Sequence, residues 1–448
     1  MMMQHQTAPA VSAGNIHRAK PVARAAPRRA VVVYAATAPV PDKHVVVIGG
    51  TGRVGSSTAS ALIKEFPNLK LTLASRSNES FQAAVGRRPE LSKAAFQTVD
   101  ITSAESVKAL LKNTGADLVI HTAGPFQRSK NYAVLEAAID TRTGYIDVCD
   151  DTPFAEGAKA SYLERAKAAG VPAIVSGGIY PGTSNVMAAH IISIARQEYD
   201  ADWKYRTPAP GEGVEPKWLR YSYYTAGSGG AGPTILETSF LLAGEEVIVY
   251  KDGKEVILPP ISNRREVDFG PGIGRKGVYL YNLPEVVSGH KYMRVPDVSA
   301  RFGTDPFIWN WAMWLTARLV PRSLLNDRGF VKRFAALSDP FVRNVDKIVG
   351  EAVAMRVEVD MVGGKNSSGI FVHKYLSQSM GYSTAAFAQS VLQGKTKPGV
   401  WYPEEPEALQ DRRQFLQLAS TGCSRFDLNR SAWALESEIK QIGGLIYW

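Results

Sequence analysis

Cysteine is nearly absent: the 448 residues hold only Cys149 and Cys423. Two thiols so far apart make neither a disulfide framework nor a metal cluster. The seven histidines are scattered, with no H-x-x-x-H pair, so no metal site is expected. No apolar run approaches the ~20 residues a transmembrane helix needs. Long Lys/Arg runs are missing too. The formal charge is +10, yet five of the basic residues (Arg18, Lys20, Arg24, Arg28 and Arg29) lie in the first 36, where there is no acid. The rest carries a mild excess, so nucleic acid is not an expected partner.

That acid-free, Ala- and Arg-rich leader has the composition of an organelle transit peptide. Val33-Tyr34-Ala35 resembles the Val-x-Ala processing site of green-algal chloroplast proteins. A plastid (stroma or thylakoid surface) is the expected location, with the mitochondrion as the competitor.

The most informative stretch follows. A short apolar run, His44 to Ile48, drops into Gly49-Gly50-Thr51-Gly52-Arg53-Val54-Gly55. This is G-x-G-x-x-G at a strand-to-helix junction, the context in which the pattern has meaning. Gly50 is expected to permit the tight turn, Gly52 to let a pyrophosphate approach the backbone, and Gly55 to let the helix pack on the strand. The helix N-terminus then offers N–H groups to phosphate.

The second strand, residues 70–74, ends in Ser75-Arg76-Ser77. An NAD-type site has an acid at this point for the ribose 2′-OH. A guanidinium between two hydroxyls suits a 2′-phosphate instead, so the expected cofactor is NADP(H). The third strand, residues 96–99, ends at Asp100-Ile101, expected beside the adenine. Thr102-Ser103-Ala104-Glu105 then reads as a capping box. The fourth, residues 116–121, ends in Thr122-Ala123-Gly124-Pro125-Phe126, a turn expected under the nicotinamide ribose. Strands at 145–149 and 171–175, with a helix at 154–169 between them, complete the alternation of a doubly wound parallel sheet.

Beyond residue 200 the pattern changes. Residues 246–258 fold around Asp252-Gly253, a strong hairpin signal. Residues 352–360 and 369–376 read as a strand pair around Gly363-Gly364, and residues 383–393 as a helix. The fold class is thus α/β: an N-terminal Rossmann doubly wound parallel sheet plus a second α/β domain with a mixed or antiparallel sheet. The expected division is 1–36 transit peptide, 43–185 NADP-binding domain, 186–380 substrate and oligomerisation domain, and 381–448 a C-terminal helix and tail returning to the first domain. The Trp309-to-Trp314 segment holds three tryptophans. It fits a core or oligomer-contact helix, or else a peripheral membrane contact or a lid over an apolar ligand.

Gly49-Gly50-Thr51-Gly52-Arg53-Val54-Gly55, Ala74-Ser75-Arg76, Ala123-Gly124-Pro125-Phe126, Pro181-Gly182-Thr183-Ser184-Asn185 and Gly399-Val400-Trp401-Tyr402-Pro403-Glu404, in this order, resemble saccharopine dehydrogenase-like oxidoreductases. The resemblance covers most of residues 43–405. It implies a Rossmann domain of the saccharopine reductase type that binds NADP, a second α/β domain inserted after it, and a C-terminal helix that returns to the first. It also implies hydride transfer to or from the nicotinamide. The family's substrates range over saccharopine, polyamine precursors and enoyl groups in lipid assembly. This chain lacks an obvious arginine cluster for several carboxylates, and its Trp and Tyr content suggests a more apolar small molecule.

Asp150 and Tyr180 are the candidate catalytic proton donors at the cleft, with His121 behind them. The alternative role for Asp150 is to cap the helix that begins near Pro153. Two other functions fit the same chain: a non-catalytic NADP(H)-binding sensor or assembly protein, and an atypical short-chain dehydrogenase-like reductase. An ordinary member of the latter class needs Tyr-x-x-x-Lys on one helix. Of the 18 tyrosines only Tyr250 and Lys254 have that spacing, and they straddle the Asp252-Gly253 turn. Oligomeric state is open, with a homodimer compatible.

Overall fold

The computed structural model describes residues 42–200, 206–209, 211–227, 233–437, 440–442 and 445–447. The expected transit peptide, residues 1–36, lies outside the described residues. The first half alternates β1 (His44–Ile48), α1 (Arg53–Glu65), β2 (Lys70–Ser75), α2 (Asn78–Arg87), β3 (Ala95–Thr98), α3 (Ala104–Thr114), β4 (Leu118–His121), α4 (Ala133–Asp140), β5 (Gly144–Asp147), α5 (Thr152–Ala169), β6 (Pro172–Ile174) and α6 (Thr183–Ala195). The second continues with β7 (Pro216–Ala226), α7 (Pro233–Ala243), β8 (Val247–Lys251), β9 (Lys254–Leu258), β10 (Ser262–Asp268), β11 (Arg275–Leu280), α8 (Pro284–Met293) and β12 (Asp297–Asp305). Then come α9 (Ile308–Leu319), α10 (Arg322–Leu325), α11 (Arg328–Val349), β13 (Ala352–Met361), β14 (Asn366–His373), α12 (Leu376–Leu392), β15 (Gly399–Trp401), α13 (Arg412–Ala419), β16 (Cys423–Arg430), β17 (Lys440–Ile442) and β18 (Leu445–Tyr447).

The first sheet is parallel throughout, in the order β15-β6-β5-β4-β1-β2-β3. Its central strands β1, β4 and β5 are buried on both faces because helices cover both. Side chains alternate along β1, so Val45 and Val47 join one core while Val46 and Ile48 join the other. Burial is complete for all four, and each contributes about 1.5–3 kcal/mol of apolar transfer free energy.

The order reverses at β1 and β4, which places their carboxyl ends at the switch point where open α/β sheets bind ligands. β15 is the sheet's sixth-strand neighbour, although more than two hundred residues separate it from β6 in sequence. It was expected only as loop and tail.

The second sheet is mixed, in the order β10-β11-β12-β7-β13-β14-β16, with β8 and β9 attached through β12. β12 and β7 are parallel; the other pairs are antiparallel. The Asp252-Gly253 hairpin forms as expected between β8 and β9. α6 lies against β7, β13 and β14 of this sheet.

α12 returns to the first sheet and crosses α1. Gly381 makes the crossing possible: a Cβ there would lie 2.4 Å from the backbone oxygen of Ser57. Lys64 donates to the Tyr382 hydroxyl at 2.8 Å beside it. The polar, glycine-bearing turn Leu376 to Tyr382 hid this half of the helix, which begins seven residues before the expected start.

Two other readings are corrected. α3 is capped by Ser103, whose hydroxyl accepts from Ser106 N at 3.2 Å. Thr102 instead donates to Asp100, and Glu105 pairs with Lys108 at 2.9 Å. The tryptophan helix α9 lies at the surface rather than inside the core: Met313 and Ala317 pack against the core, while Trp311 is 61% exposed. No described helix is long and apolar enough to cross a membrane.

Candidate cofactor and substrate site

The glycine turn is built in three steps. Gly49 takes a left-handed conformation (φ +76°), and a Cβ there would meet Ala123 N at 2.8 Å. The positive φ therefore falls on Gly49 rather than on Gly50, the expected turn residue. Gly50 is required for another reason, since its Cβ would lie 2.7 Å from Val47 O. Gly55 lets α1 close onto the turn: a Cβ there would sit 2.4 Å from Gly49 O and 2.6 Å from Thr122 Oγ1.

Gly52 is different. It forms the N-cap of α1 without a side-chain cap, and a Cβ there would meet only Gly49 O, at 3.2 Å. The space over Gly52 is open, and the first turn of α1 contains no acid. Thr51, Arg53 and Val54 complete this turn. An open glycine at an uncapped helix start fits a pyrophosphate.

Arg76 lies exposed at the end of β2. Its neighbours are more committed than expected. Ser77 is the N-cap of α2, its hydroxyl accepting from Ser80 N at 3.4 Å, and the Ser75 hydroxyl lies 2.7 Å from that of Ser80. The guanidinium thus stands at the start of a helix, which itself favours phosphate. Arg87, from the far end of α2, donates to Thr51 O at 3.0 Å and brings another cation to the glycine turn. Only the tandem Arg87-Arg88 hinted at it in the sequence.

Asp100 is exposed and accepts from Thr102, so its carboxyl is held below the usual range by those hydrogen bonds. Ile101 O accepts from Asn131 Nδ2 at 3.2 Å. On the other side of the switch point, Thr122 Oγ1 donates to Ile48 O at 2.8 Å and ties the end of β4 to β1. Ala123, the cis Gly124–Pro125 bond and Phe126 follow. His121 is buried and its pKa pushed down to about 4 by burial. Burial therefore favours the neutral ring, which has no ready proton to give a substrate.

The end of β5 carries the carboxyls. Asp147 is a structural residue that accepts from Cys149 N, Ser176 N and Tyr145 Oη at 2.7–3.0 Å. Asp151, not Asp150, caps α5, accepting from Phe154 N at 2.9 Å. Asp150 is thereby free of the capping role. Burial, above all, and the charges of Asp151 and Glu245 push its carboxyl up to about 7, while the Gln127 side chain tempers the rise.

Residues of the second half close around this point. Arg128 pairs with Glu245 at 3.8 Å and donates to Asn326 Oδ1 at 2.5 Å. Arg328 donates to Pro125 O at 3.0 Å, directly on the expected nicotinamide turn. Tyr180 lies deeper. Its ring stacks on Tyr223 at 4.6 Å, and burial together with Glu285 pushes its phenol well up. Tyr180 is therefore a wall of the interior that keeps its proton.

Two acids escaped the sequence reading. Glu285, in the first turn of α8, and Glu404, after β15, are buried and each pushed up to about 7, chiefly by burial. The Tyr223 phenol tempers the shift of Glu285. Asn185 Nδ2 donates to Glu404 Oε2 at 3.1 Å and reaches Ser288 Oγ at 3.3 Å. No local pattern marks Glu285; Glu404 closes a motif already singled out but not read as a buried acid.

Residues 45–174 match the family described as Saccharopine dehydrogenase NADP binding domain. The mouse saccharopine dehydrogenase-like oxidoreductase is 30% identical over 148 residues, covering 30% of this chain and 34% of that protein. The carboxyaminopropylagmatine dehydrogenase of Synechocystis is 29% identical over 157 residues, 33% of this chain and 37% of the relative. The carboxynorspermidine synthase of Vibrio cholerae is 28% identical over 146 residues, 29% and 34% respectively. The matched part thus spans about a third of each relative's length. In fold, the apo saccharopine dehydrogenase (L-Glu forming) of Saccharomyces cerevisiae superposes with a TM-score of 0.55 over 84% of this chain and 96% of that one, at 14% identity. The glycine turn, the parallel sheet and these likenesses agree: residues 45–174 form an NADP-binding domain of the saccharopine dehydrogenase type, and the fold of the chain is like that of saccharopine dehydrogenase.

Proposed function

We propose that the protein is an NADP(H)-dependent oxidoreductase that moves a hydride between the nicotinamide and a C=N, C=C or C=O carbon of a small, partly apolar molecule. The cofactor supplies the hydride when bound; the chain orients the reactants and handles the proton. Gly49 to Gly55 would hold the pyrophosphate, Arg76 the 2′-phosphate, and Thr122 to Pro125 the nicotinamide side. Asp150 is the proton donor in the reductive direction.

The observation that carries this reading is the carboxyl of Asp150, pushed up to about 7 at the carboxyl end of β5, beside a loop tied to the nicotinamide turn. A catalytic acid works best with a pKa near the operating pH. Asp150 is poised to hold or release a proton near neutral pH, while Asp151, one residue on, is spent on the helix cap. A relative named as a dehydrogenase supports the same class of chemistry.

The test is NADPH absorbance with panels of imines, enones and carbonyl compounds. Turnover that falls on the order of a hundredfold in Asp150→Asn, with NADPH affinity retained, is the expected result. Tight NADPH binding without turnover of any compound class would favour the sensor reading. The leader supports a plastid location, for which a fusion experiment is described below.

A further inference from the structure

A helix on the surface of a globular protein turns its apolar stripe inward. α9 packs Met313 and Ala317 inward against the core and carries a second apolar stripe outward. Asn310, its most enclosed residue, accepts from Thr304 N at 3.1 Å and donates to Thr304 O at 2.8 Å, a polar clasp that fixes the start of the helix. Phe307, Trp311, Leu315 and Leu319 recur at helical spacing on the outward side, and Phe307 and Leu319 are 71% and 73% exposed. Trp309 meets Phe341 of α11 with ring centroids 5.5 Å apart. The apolar surface therefore continues onto α11, where Leu337 and Phe341 are also exposed.

Its rim is basic. Residues 307–333 hold Arg318, Arg322, Arg328, Lys332 and Arg333 against a single acid, Asp327. That acid is used locally, accepting from Phe330 N at 2.9 Å. A cleft of about 220 Å³ opens at the foot of α9, where Arg264 and Lys276 face Phe307 and Trp311. Their charges are shared with Glu266 and Asp305.

We propose that this face docks the protein onto the surface of an anionic lipid bilayer. The Trp, Phe and Leu side chains enter the headgroup and acyl boundary, and the basic rim meets the lipid phosphates. Tryptophan favours that boundary, and an apolar face bordered by Arg and Lys is the pattern of interfacial helices. Charge decides the occupant. A second copy related by a twofold axis would set the basic rim against itself, whereas an anionic surface neutralises it.

The full chain is mixed with phosphatidylcholine vesicles, with and without a large fraction of phosphatidylglycerol, and floated on a density gradient. Flotation with the anionic vesicles, weakening as salt screens the rim, is expected. The double variant Trp311→Ser/Leu319→Ser should lose roughly tenfold or more of the bound fraction. Lys332→Glu/Arg333→Glu should lose it as well. Both variants should keep the circular-dichroism spectrum and NADPH affinity of the parent, since these side chains are exposed. Failure to float, or equal binding to neutral and anionic vesicles, overturns the proposal. So does light scattering that shows a dimer which the apolar variant converts to a monomer, because the occupant would then be a second copy.

Discussion

Asn185 donates from Nδ2 to Glu404 Oε2 at 3.1 Å, although 219 residues separate them in sequence. The bond joins the start of α6 to the segment that follows the returning strand β15. It leaves Glu404 Oε1 buried and without a hydrogen bond among the described residues, near a second buried acid, Glu285.

Stability should therefore fall as pH rises. Glu285 and Glu404 hold their protons up to about 7 in the folded protein, against an ordinary carboxyl value of 4.5. Between those values the folded state binds more protons than the unfolded one, so unfolding becomes easier with rising pH and levels off above 7. Glu285→Gln should remove its share of the slope and stabilise the protein at pH 8 by on the order of 2 kcal/mol. Urea titrations of parent and variant from pH 5 to 8 check the sign; a parent that gains stability across this window contradicts it.

Activity carries a second pH signature. In the reductive direction kcat/KM should be level below the pKa of Asp150, about 7, and decline above it as the proton is lost. Asp150→Asn should abolish that limb. Persistence of the limb in the variant would assign it to another group.

Gly52 and Gly55 should separate binding from folding. Gly55→Ala drives a Cβ to 2.4 Å from Gly49 O, a backbone atom with little room to retreat, at a cost of about 1–3 kcal/mol. Gly52→Val meets only one atom, at 3.2 Å, but fills the space left for the pyrophosphate. Thermal melts should move for Gly55→Ala and hardly for Gly52→Val, while calorimetry should find no NADPH binding to the latter. Normal binding by Gly52→Val would place the phosphates elsewhere.

Cofactor choice should rest on Arg76. Its removal takes away a charge-assisted contact worth about 1.5–3 kcal/mol. Arg76→Glu adds repulsion, so the preference for NADPH over NADH should drop on the order of tenfold to a hundredfold. Equal affinity of the parent for the two nucleotides would exclude this role.

A fluorescent fusion of residues 1–40 should enter plastids. Protein lacking residues 1–36 should melt at essentially the parent temperature, because an acid-free, weakly apolar segment contributes little to a core. Mitochondrial import would keep the targeting role and change the organelle; a large loss of stability would make the segment structural.

The sequence by itself determined what a few neighbouring residues can enforce. Gly49 to Gly55 after an apolar run specified the strand, the turn and the helix start, because backbone freedom at glycine and a missing Cβ are local properties. The same holds for the Asp252-Gly253 hairpin, where the turn sets the pairing of β8 with β9. Asp150 was legible as a candidate from its place at a strand end, but not its raised pKa, which comes chiefly from burial, with the charges of Asp151 and Glu245 adding to it. The tertiary structure alone decided that Asp151 takes the cap, that β15 enters the first sheet, and that α9 turns tryptophan outward. It alone also brought Glu285 and Glu404 into one interior. Desolvation and charge coupling arise between groups distant in the chain, and no local pattern of residues carries them.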